Sequence, residues 1–276
     1  MGQGDSIRRI KMYKIKLVGN RATSGSMKTI TAKRGETIKL PANNYKRDGF
    51  KFMGWSTKRN DVINMKRYQL GKVKYKNRAE VRNLGKDGET VKLYACWKGV
   101  GIEAAASWAK LLAKDNSFAY GADNHKDWYH GRDRAHQIGC YFCGTTIKGP
   151  KKAKKGSRWE KTYGCNPLVM AALVHGMGLF KKCSAGSVRA AYWAGLRVDG
   201  KPIFKIIGKN LKYSELKPGD LLCSDRHIKM FTGKSKMPGL YLVTHAAGEG
   251  WGSKSIRTDR VHGRTGTNYT VVRFIG

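Results

Sequence analysis

Cys165, His227 and His245 carry the side chains that nucleophilic catalysis needs. Cys165 stands in the run Tyr163-Gly-Cys-Asn-Pro-Leu-Val-Met-Ala-Ala-Leu-Val174. Asn166 reads as an N-cap and Pro167 as a first helical residue. The residues behind them are apolar on every side, which predicts a buried helix. A cysteine at the start of such a helix faces the positive end of the backbone dipole, which favours its thiolate. His227 opens the strand-like run His227-Ile-Lys-Met-Phe-Thr-Gly233, and His245 ends Tyr241-Leu-Val-Thr-His245. Two adjacent antiparallel strands bring such imidazoles side by side. Taken singly, each residue is more often an ordinary core or surface group. In this order they form a nucleophile, a base and a group that orients the base.

A second cluster suits a metal. His136-x-x-x-Cys140-x-x-Cys143 offers three ligands, and a structural zinc takes four. Cys183 and His130 are the candidates for the fourth. The same spacing also suits a labile disulfide or plain loop thiols, and these alternatives stay open. Six cysteines in 276 residues do not make a disulfide scaffold. Cys96 and Cys223 read as structural, as does Cys183 if it is not the fourth ligand.

The elements that must position these residues fall into two parts. Residues 1–12 form a basic tail. Residues 13–98 read as short strands between turns: Tyr13-Lys-Ile-Lys-Leu-Val alternates with period two, and Gly49 to Trp55 and Val91 to Trp97 are aromatic alternating runs. Trp55 and Trp97 are expected in the core of this small part. Gly99-Val-Gly101 is a junction. Beyond it, Ile102, Ala105, Ala106, Ala109, Leu112 and Ala113 share one helical face. A loop-rich stretch with Phe118-Ala-Tyr120-Gly121 and a basic run from Lys148 to Arg158 leads to the Cys165 helix. Pro218-Gly219-Asp220 turns into the strands that carry the histidines.

Composition constrains the partners. The chain holds 55 Lys and Arg against 19 Asp and Glu, a formal charge of +36. The excess is distributed, with 25 basic and 7 acidic residues before position 101. Such a field suits an anionic polymer. Neither a paired Cys/His finger nor an aromatic RNA-binding strand is present to specify nucleic acid. The longest apolar run, Leu168 to Val174, is too short to cross a membrane. No secretory signal is expected, because the N-terminus lacks an apolar stretch.

Two resemblances emerge from these motifs. Gly49-Phe-x-Phe-x-Gly-Trp-Ser-Thr57, followed by Leu93-Tyr-Ala-x-Trp97, resembles the internalin B-repeat (Listeria–Bacteroides repeat) module, which implies a small β-grasp-like domain over residues 13–98. Residues 99–276 resemble the NlpC/P60 cysteine peptidases, with CHAP amidases as close cousins. The resemblance rests on Phe118-Ala-Tyr-Gly121, Gly164-Cys-Asn-Pro-Leu-Val169, Pro218-Gly-Asp-Leu221, His227 to Gly233, and Val243-Thr-His-Ala246, in that order. It implies an α+β, papain-like domain with N-terminal helices packed on an antiparallel sheet. It further implies Cys165 as nucleophile, His227 as base and His245 as orienting residue, with Tyr120 and Asn166 lining the substrate site. Two positions depart from the family: Gly164 stands where an Asp is usual, and Asn166-Pro167 replaces Ser-Gly. The first puts the family's best-known bond preference in doubt.

The function expected on this basis is a peptidoglycan hydrolase that cleaves a stem- or cross-bridge peptide bond through a thioacyl intermediate. No cofactor is required for the chemistry, and a structural zinc at the Cys140/Cys143 loop is an added option. The basic charge would hold the enzyme on peptidoglycan and anionic wall polymers. The setting suggested is a phage or prophage lysin, or a tail-associated lysin among other virion proteins, reaching the wall as a virion component, through a holin-type route or by specialised export. The alternatives are a non-catalytic wall-binding module on a degenerate peptidase fold, and a basic nucleic-acid-binding protein.

Overall fold

In the computed structural model the described residues are 10–59, 64–115, 118–120, 138–143, 145–148, 162–184, 186–246 and 256–276. The expected basic tail lies largely outside them. The chain divides into two compact units: Met1–Asn64 with Gln69–Lys98, and Met65–Tyr68 with Gly99–Gly276. The four residues Met65–Tyr68 thus interrupt the first unit in sequence and belong to the second.

The described part of the first unit is built of strands: β1 (Met12–Val18), β2 (Ile30–Lys33), β3 (Thr37–Lys39), β4 (Phe50–Ser56), β5 (Gln69–Leu70), β6 (Glu80–Arg82) and β7 (Thr90–Gly99). One sheet runs β2-β1-β7-β4, with β5 also paired to β7, and β3 pairs with β6. β1 and β7 lie parallel, Leu17 opposite Leu93. Tyr13, Ile15 and Leu17 point inward while the lysines between them face out, as a period of two requires. Trp55 and Trp97 are fully buried, and Phe52 meets both edge-on at 5.0 and 5.7 Å. The indole N–H of Trp97 donates to the carbonyls of Gly19 and Asn20, so the buried ring leaves no unmet donor.

The second unit opens with α1 (Ile102–Leu112), whose small residues Ala104, Ala105, Ala106 and Ala109 are buried. Short strands β8 (Ala119–Tyr120), β9 (Ile138–Cys140), β10 (Thr145–Lys148) and β11 (Thr162–Tyr163) follow. β9 and β10 form a hairpin, and β8 lies parallel to β11 with Tyr120 opposite Tyr163. α2 (Cys165–Ala171) then runs directly into a π-helical stretch, Ala172–Met177, closed by Gly178 in the left-handed conformation. Gly176 in this stretch is required by the packing: a Cβ there would lie 2.5 Å from the Ala105 Cα. The alanines of α1 and this glycine together let two backbones approach closely.

After α3 (Ala190–Gly195) and the small hairpin β12 (Arg197–Val198) and β13 (Lys201–Pro202), the chain builds one large sheet. Its strands are β14 (Phe204–Lys209), β15 (Leu221–Cys223), β16 (Ile228–Lys234), β17 (Tyr241–Ala246), β18 (Ile256–Val261) and β19 (Thr270–Phe274). Their order is β14-β19-β15-β16-β17-β18, and every pair is antiparallel. α1 and α2 both pack on β16 and β17. The turn into β15 needs Gly219, at φ +96°, because a side chain there would collide with Ile102 of α1. The next residue, Asp220, is buried and takes two bonds from the Arg273 guanidinium at 2.9 and 2.6 Å. This pair ties the turn to β19.

Candidate functional site

The helix begins at Cys165, with Gly164 in extended conformation as its N-cap. This corrects the sequence reading by two residues: Asn166 and Pro167 lie inside the first turn. Pro167 fits there because the first turn's N–H groups have no helical acceptor; the first bond of the turn is Leu168 N–H to the Gly164 carbonyl, 3.0 Å. The Asn166 side chain accepts weakly from the Cys165 thiol through Oδ1 at 3.8 Å and reaches the Gly186 carbonyl with Nδ2 at 3.5 Å.

Cys165 is buried. Burial pushes its thiol pKa up, against the backbone N–H groups of Ile228, Asn166 and Cys165 itself, which point at the sulfur. Burial thus works against the dipole argument for a resting thiolate, and the balance favours the thiol. The Ile228 N–H places that sulfur at the start of β16, one residue from His227.

His227 is held by the turn between β15 and β16. Its N–H donates to Ser224 Oγ at 3.0 Å, and the Ser224 hydroxyl and N–H both return to the His227 carbonyl at 2.9 Å. His227 Nε2 lies 2.7 Å from His245 Nδ1. His245 Nε2 lies 2.7 Å from Asp259 Oδ2. Asp259 comes from β18, where Arg257 stands opposite His245 and Asp259 sits two residues further along the same face. Arg257 Nε approaches the other carboxylate oxygen at 3.1 Å.

This chain of contacts determines the tautomers. A carboxylate only accepts, so His245 Nε2 carries a proton. Neutral His245 then accepts at Nδ1, so His227 Nε2 carries a proton and donates. The lone pair of His227 is left on Nδ1. Burial first, then the repulsion a protonated His245 would exert and the positive Lys229 and Arg257, push the His227 pKa down to about 4, and Asp259 opposes them. Burial lowers His245 as well. Burial alone would raise Asp259, but the His245 N–H, Arg257 and Lys229 outweigh it and hold the carboxylate below its usual range. At neutral pH the set is a thiol, two neutral imidazoles and one carboxylate.

Asp259 has no place in the sequence reading. It stands in the charged run Arg257-Thr-Asp-Arg260, and only cross-strand register brings it to a histidine. Tyr120 is placed beside Tyr163, two residues before Cys165, by backbone pairing; its side chain lies outside the described residues. Tyr269 is close enough to Cys165 that, after burial, the negative charge of an ionised Cys165 is the second influence raising its phenol pKa.

A separate group forms around His175. Its Nε2 lies 3.1 Å from Cys140 Sγ, 3.3 Å from Cys143 Sγ and 3.5 Å from Cys183 Sγ, and Cys143 and Cys183 are 3.5 Å apart. All four ligand atoms lie within 4.8 Å of one another, and the group can hold a metal ion. His175 Nδ1 faces the Lys66 carbonyl at 2.8 Å, which directs Nε2 to the sulfurs. The Tyr163 hydroxyl is 3.4 Å from Cys140 Sγ. Trp108 stacks on the imidazole at 5.9 Å and Phe142 lies 5.4 Å away. Hydrogen bonds from Cys183, His175 and Tyr163 pull the Cys140 thiol pKa well below its ordinary value, despite burial.

Cys140 and Cys143 come from the sequence reading, and Cys183 takes the place it was offered. Among the described residues the fourth member of the group is His175, which the sequence reading did not name; His130 and His136 lie outside the described residues. A histidine inside a wholly apolar helical run was the available signal, since a buried imidazole needs polar partners. Comparison with protein-family models, with curated proteins and with solved structures finds no match to this chain.

Proposed function

We propose that the chain is a cysteine peptidase or amidase of the NlpC/P60 type that cleaves a stem- or cross-bridge peptide bond of peptidoglycan. The observation that carries this reading is the relay Asp259–His245–His227, which leaves the His227 Nδ1 lone pair free near the helix that bears Cys165. In this mechanism Cys165 Sγ attacks the peptide carbonyl carbon while its proton passes to His227 Nδ1. The imidazolium is stabilised through His245 by Asp259. When the tetrahedral intermediate collapses, the C–N bond breaks and the leaving amine takes the proton from His227. Water, deprotonated by His227, then opens the thioester and regenerates the thiol. The Cys165 backbone N–H, at the free end of a helix, is one donor for the oxyanion.

The charge of +36 suits retention on anionic wall polymers, and the first unit serves as a spacer or wall-contact module in this reading. A lysin of a phage or prophage is the setting we favour. The test is digestion of purified peptidoglycan by wild type and Cys165→Ala, with mass spectrometry of the released fragments. New amino termini from the wild type alone are expected. Equal release by both proteins overturns Cys165 as nucleophile, and no release from walls of several chemotypes overturns the hydrolase.

For the second group we propose zinc in a structural role. Zn–S bonds of about 2.3 Å and Zn–N bonds of about 2.0–2.1 Å at tetrahedral angles give S···N edges of about 3.5 Å and S···S edges of about 3.8 Å. The S···N separations of 3.1, 3.3 and 3.5 Å and the S···S separation of 3.5 Å are close to those edges. Four protein ligands close the coordination sphere, which is the structural and not the catalytic pattern.

A further inference from the structure

We infer that the ion held by Cys140, Cys143, His175 and Cys183 acts as the positioning element for the nucleophile, without touching substrate. The inference rests on the zinc reading of that group. Three connections run from the ligands to the segment that carries Cys165. Tyr163, two residues before the nucleophile, places its hydroxyl against Cys140 Sγ. His175, ten residues after it, is on the continuous helical run from Cys165 to Met177. Cys183 leads into Gly186, whose carbonyl meets the Asn166 side chain next to the nucleophile. The nucleophile is therefore bracketed before, after and beside by groups that converge on one ion.

Distance separates positioning from chemistry. Ten residues of helix span about 15 Å, so an ion at His175 is out of reach of a carbonyl at Cys165. The outer contacts serve the same purpose. The Lys66 carbonyl fixes the His175 ring through Nδ1, and the indole N–H of Trp108 donates to the Met65 carbonyl at 2.8 Å. The turn Met65–Tyr68 thus belongs to the metal's surroundings, which accounts for its membership of the second unit.

The Cys165 helix is packed on α1, β16 and β17, and the hairpin of β9 and β10 meets Phe118 and Trp108 through the rings of Tyr141 and Phe142. β8, β9, β10 and β11 pair only in twos, apart from the large sheet. Without an ion, three thiols and the His175 Nε2 face one another, with the Tyr163 hydroxyl beside Cys140 and the Lys66 carbonyl on the far side of the imidazole. The ion converts this group into a cross-link between the β9–β10 hairpin, the π-helical stretch and the Cys183 segment.

The test uses the full chain purified under reducing conditions. Metal content is measured by elemental mass spectrometry, and coordination by exchange with Co2+, whose spectrum reports tetrahedral thiolate ligation. Amide hydrogen exchange is then compared for the zinc-loaded, chelator-stripped and zinc-restored protein. One zinc per chain is expected, with exchange across residues 163–177 speeding by about tenfold or more on stripping and recovering on zinc return. Strands β15, β16 and β19 are expected to keep their protection. Cys143→Ala should behave like the stripped protein, and Cys143→His, which keeps four ligands, should recover protection. Zinc bound but exchange of 163–177 unchanged by its removal overturns the positioning role alone. Equal loss of protection through the large sheet also overturns it, leaving a general folding role. No zinc and no tetrahedral Co2+ spectrum overturns the zinc reading as well. None of these readouts depends on peptidoglycan cleavage, so the hydrolase stands or falls separately.

Discussion

Replacing Asp259 by Asn tests the relay at its far end. The substitution preserves shape and removes a charge. Asp259 can only accept from His245 Nε2, 2.7 Å away. An asparagine amide can turn its NH2 to that nitrogen and donate. His245 then carries its proton on Nδ1 and donates to His227 Nε2, and His227 is left protonated on Nδ1, the nitrogen that must take the thiol proton. The base is lost by tautomer inversion, not by displacement. The loss has two parts. A hydrogen bond to a charged group is worth about 1.5–3 kcal/mol, or roughly 10- to 150-fold in rate when the imidazolium forms. Reversed tautomers in a related serine triad cost about 10⁴-fold. We expect kcat of Asp259→Asn to fall by at least about 100-fold. Asp259→Ala should be less severe, because it removes the acceptor without supplying a competing donor. The carboxylate is 31% exposed, so unfolding midpoints should move little. The assay is release of new amino termini from peptidoglycan, read beside the alkylation rate of Cys165. An Asn variant that keeps half the wild-type rate, or an Ala variant slower than the Asn variant, refutes the tautomer argument.

Further outcomes follow from burial and charge. The folded-state pKa of His227, about 4, lies below its ordinary 6.5, so the unfolded chain takes up that proton first as pH falls. His227 therefore makes stability decline between pH 6.5 and about 4 and level off below, which denaturant titrations at stepped pH will read; a flat profile across that window opposes the assignment. Asp220→Ala leaves the Arg273 guanidinium without its buried carboxylate and should destabilise the second unit by about 3–5 kcal/mol, measured by thermal or urea unfolding. Gly176→Ala forces a Cβ to within 2.5 Å of the Ala105 backbone and should cost about 1–3 kcal/mol in the same measurement, with metal content as a second readout because His175 is its neighbour.

Patterns of local origin were legible in the chain. Period-two alternation in Tyr13-Lys-Ile-Lys-Leu-Val marked β1, and the alanine-rich face from Ile102 marked α1, because side-chain direction repeats with backbone geometry. The apolar run after Cys165 marked a buried helix, and Cys140-x-x-Cys143 marked two thiols close enough to share a metal, which the structure places in one group with His175 and Cys183. The residues Cys165, His227 and His245 were singled out by order and type, and the structure brings the two histidines together. What their sulfur and nitrogens do was not legible. Helix position argued for a thiolate, while burial of the sulfur pushes its pKa up, the other way.

Tertiary structure alone decided the partners that lie far apart in sequence. Asp259 reaches His245 through strand register, and register depends on how β17 and β18 pair, not on any signal within Arg257-Thr-Asp-Arg260. His175 follows the apolar run that ends at Val174, and only the hairpin of Cys140 and Cys143 and the segment of Cys183 give it its sulfur partners. Met65–Tyr68 read as part of the first module, yet its carbonyls serve His175 and Trp108 in the second unit. Residue type and spacing supply the chemistry that each element can offer. Which groups meet is determined by pairing and packing over the whole chain, because contacts between distant residues leave no periodic trace in either segment.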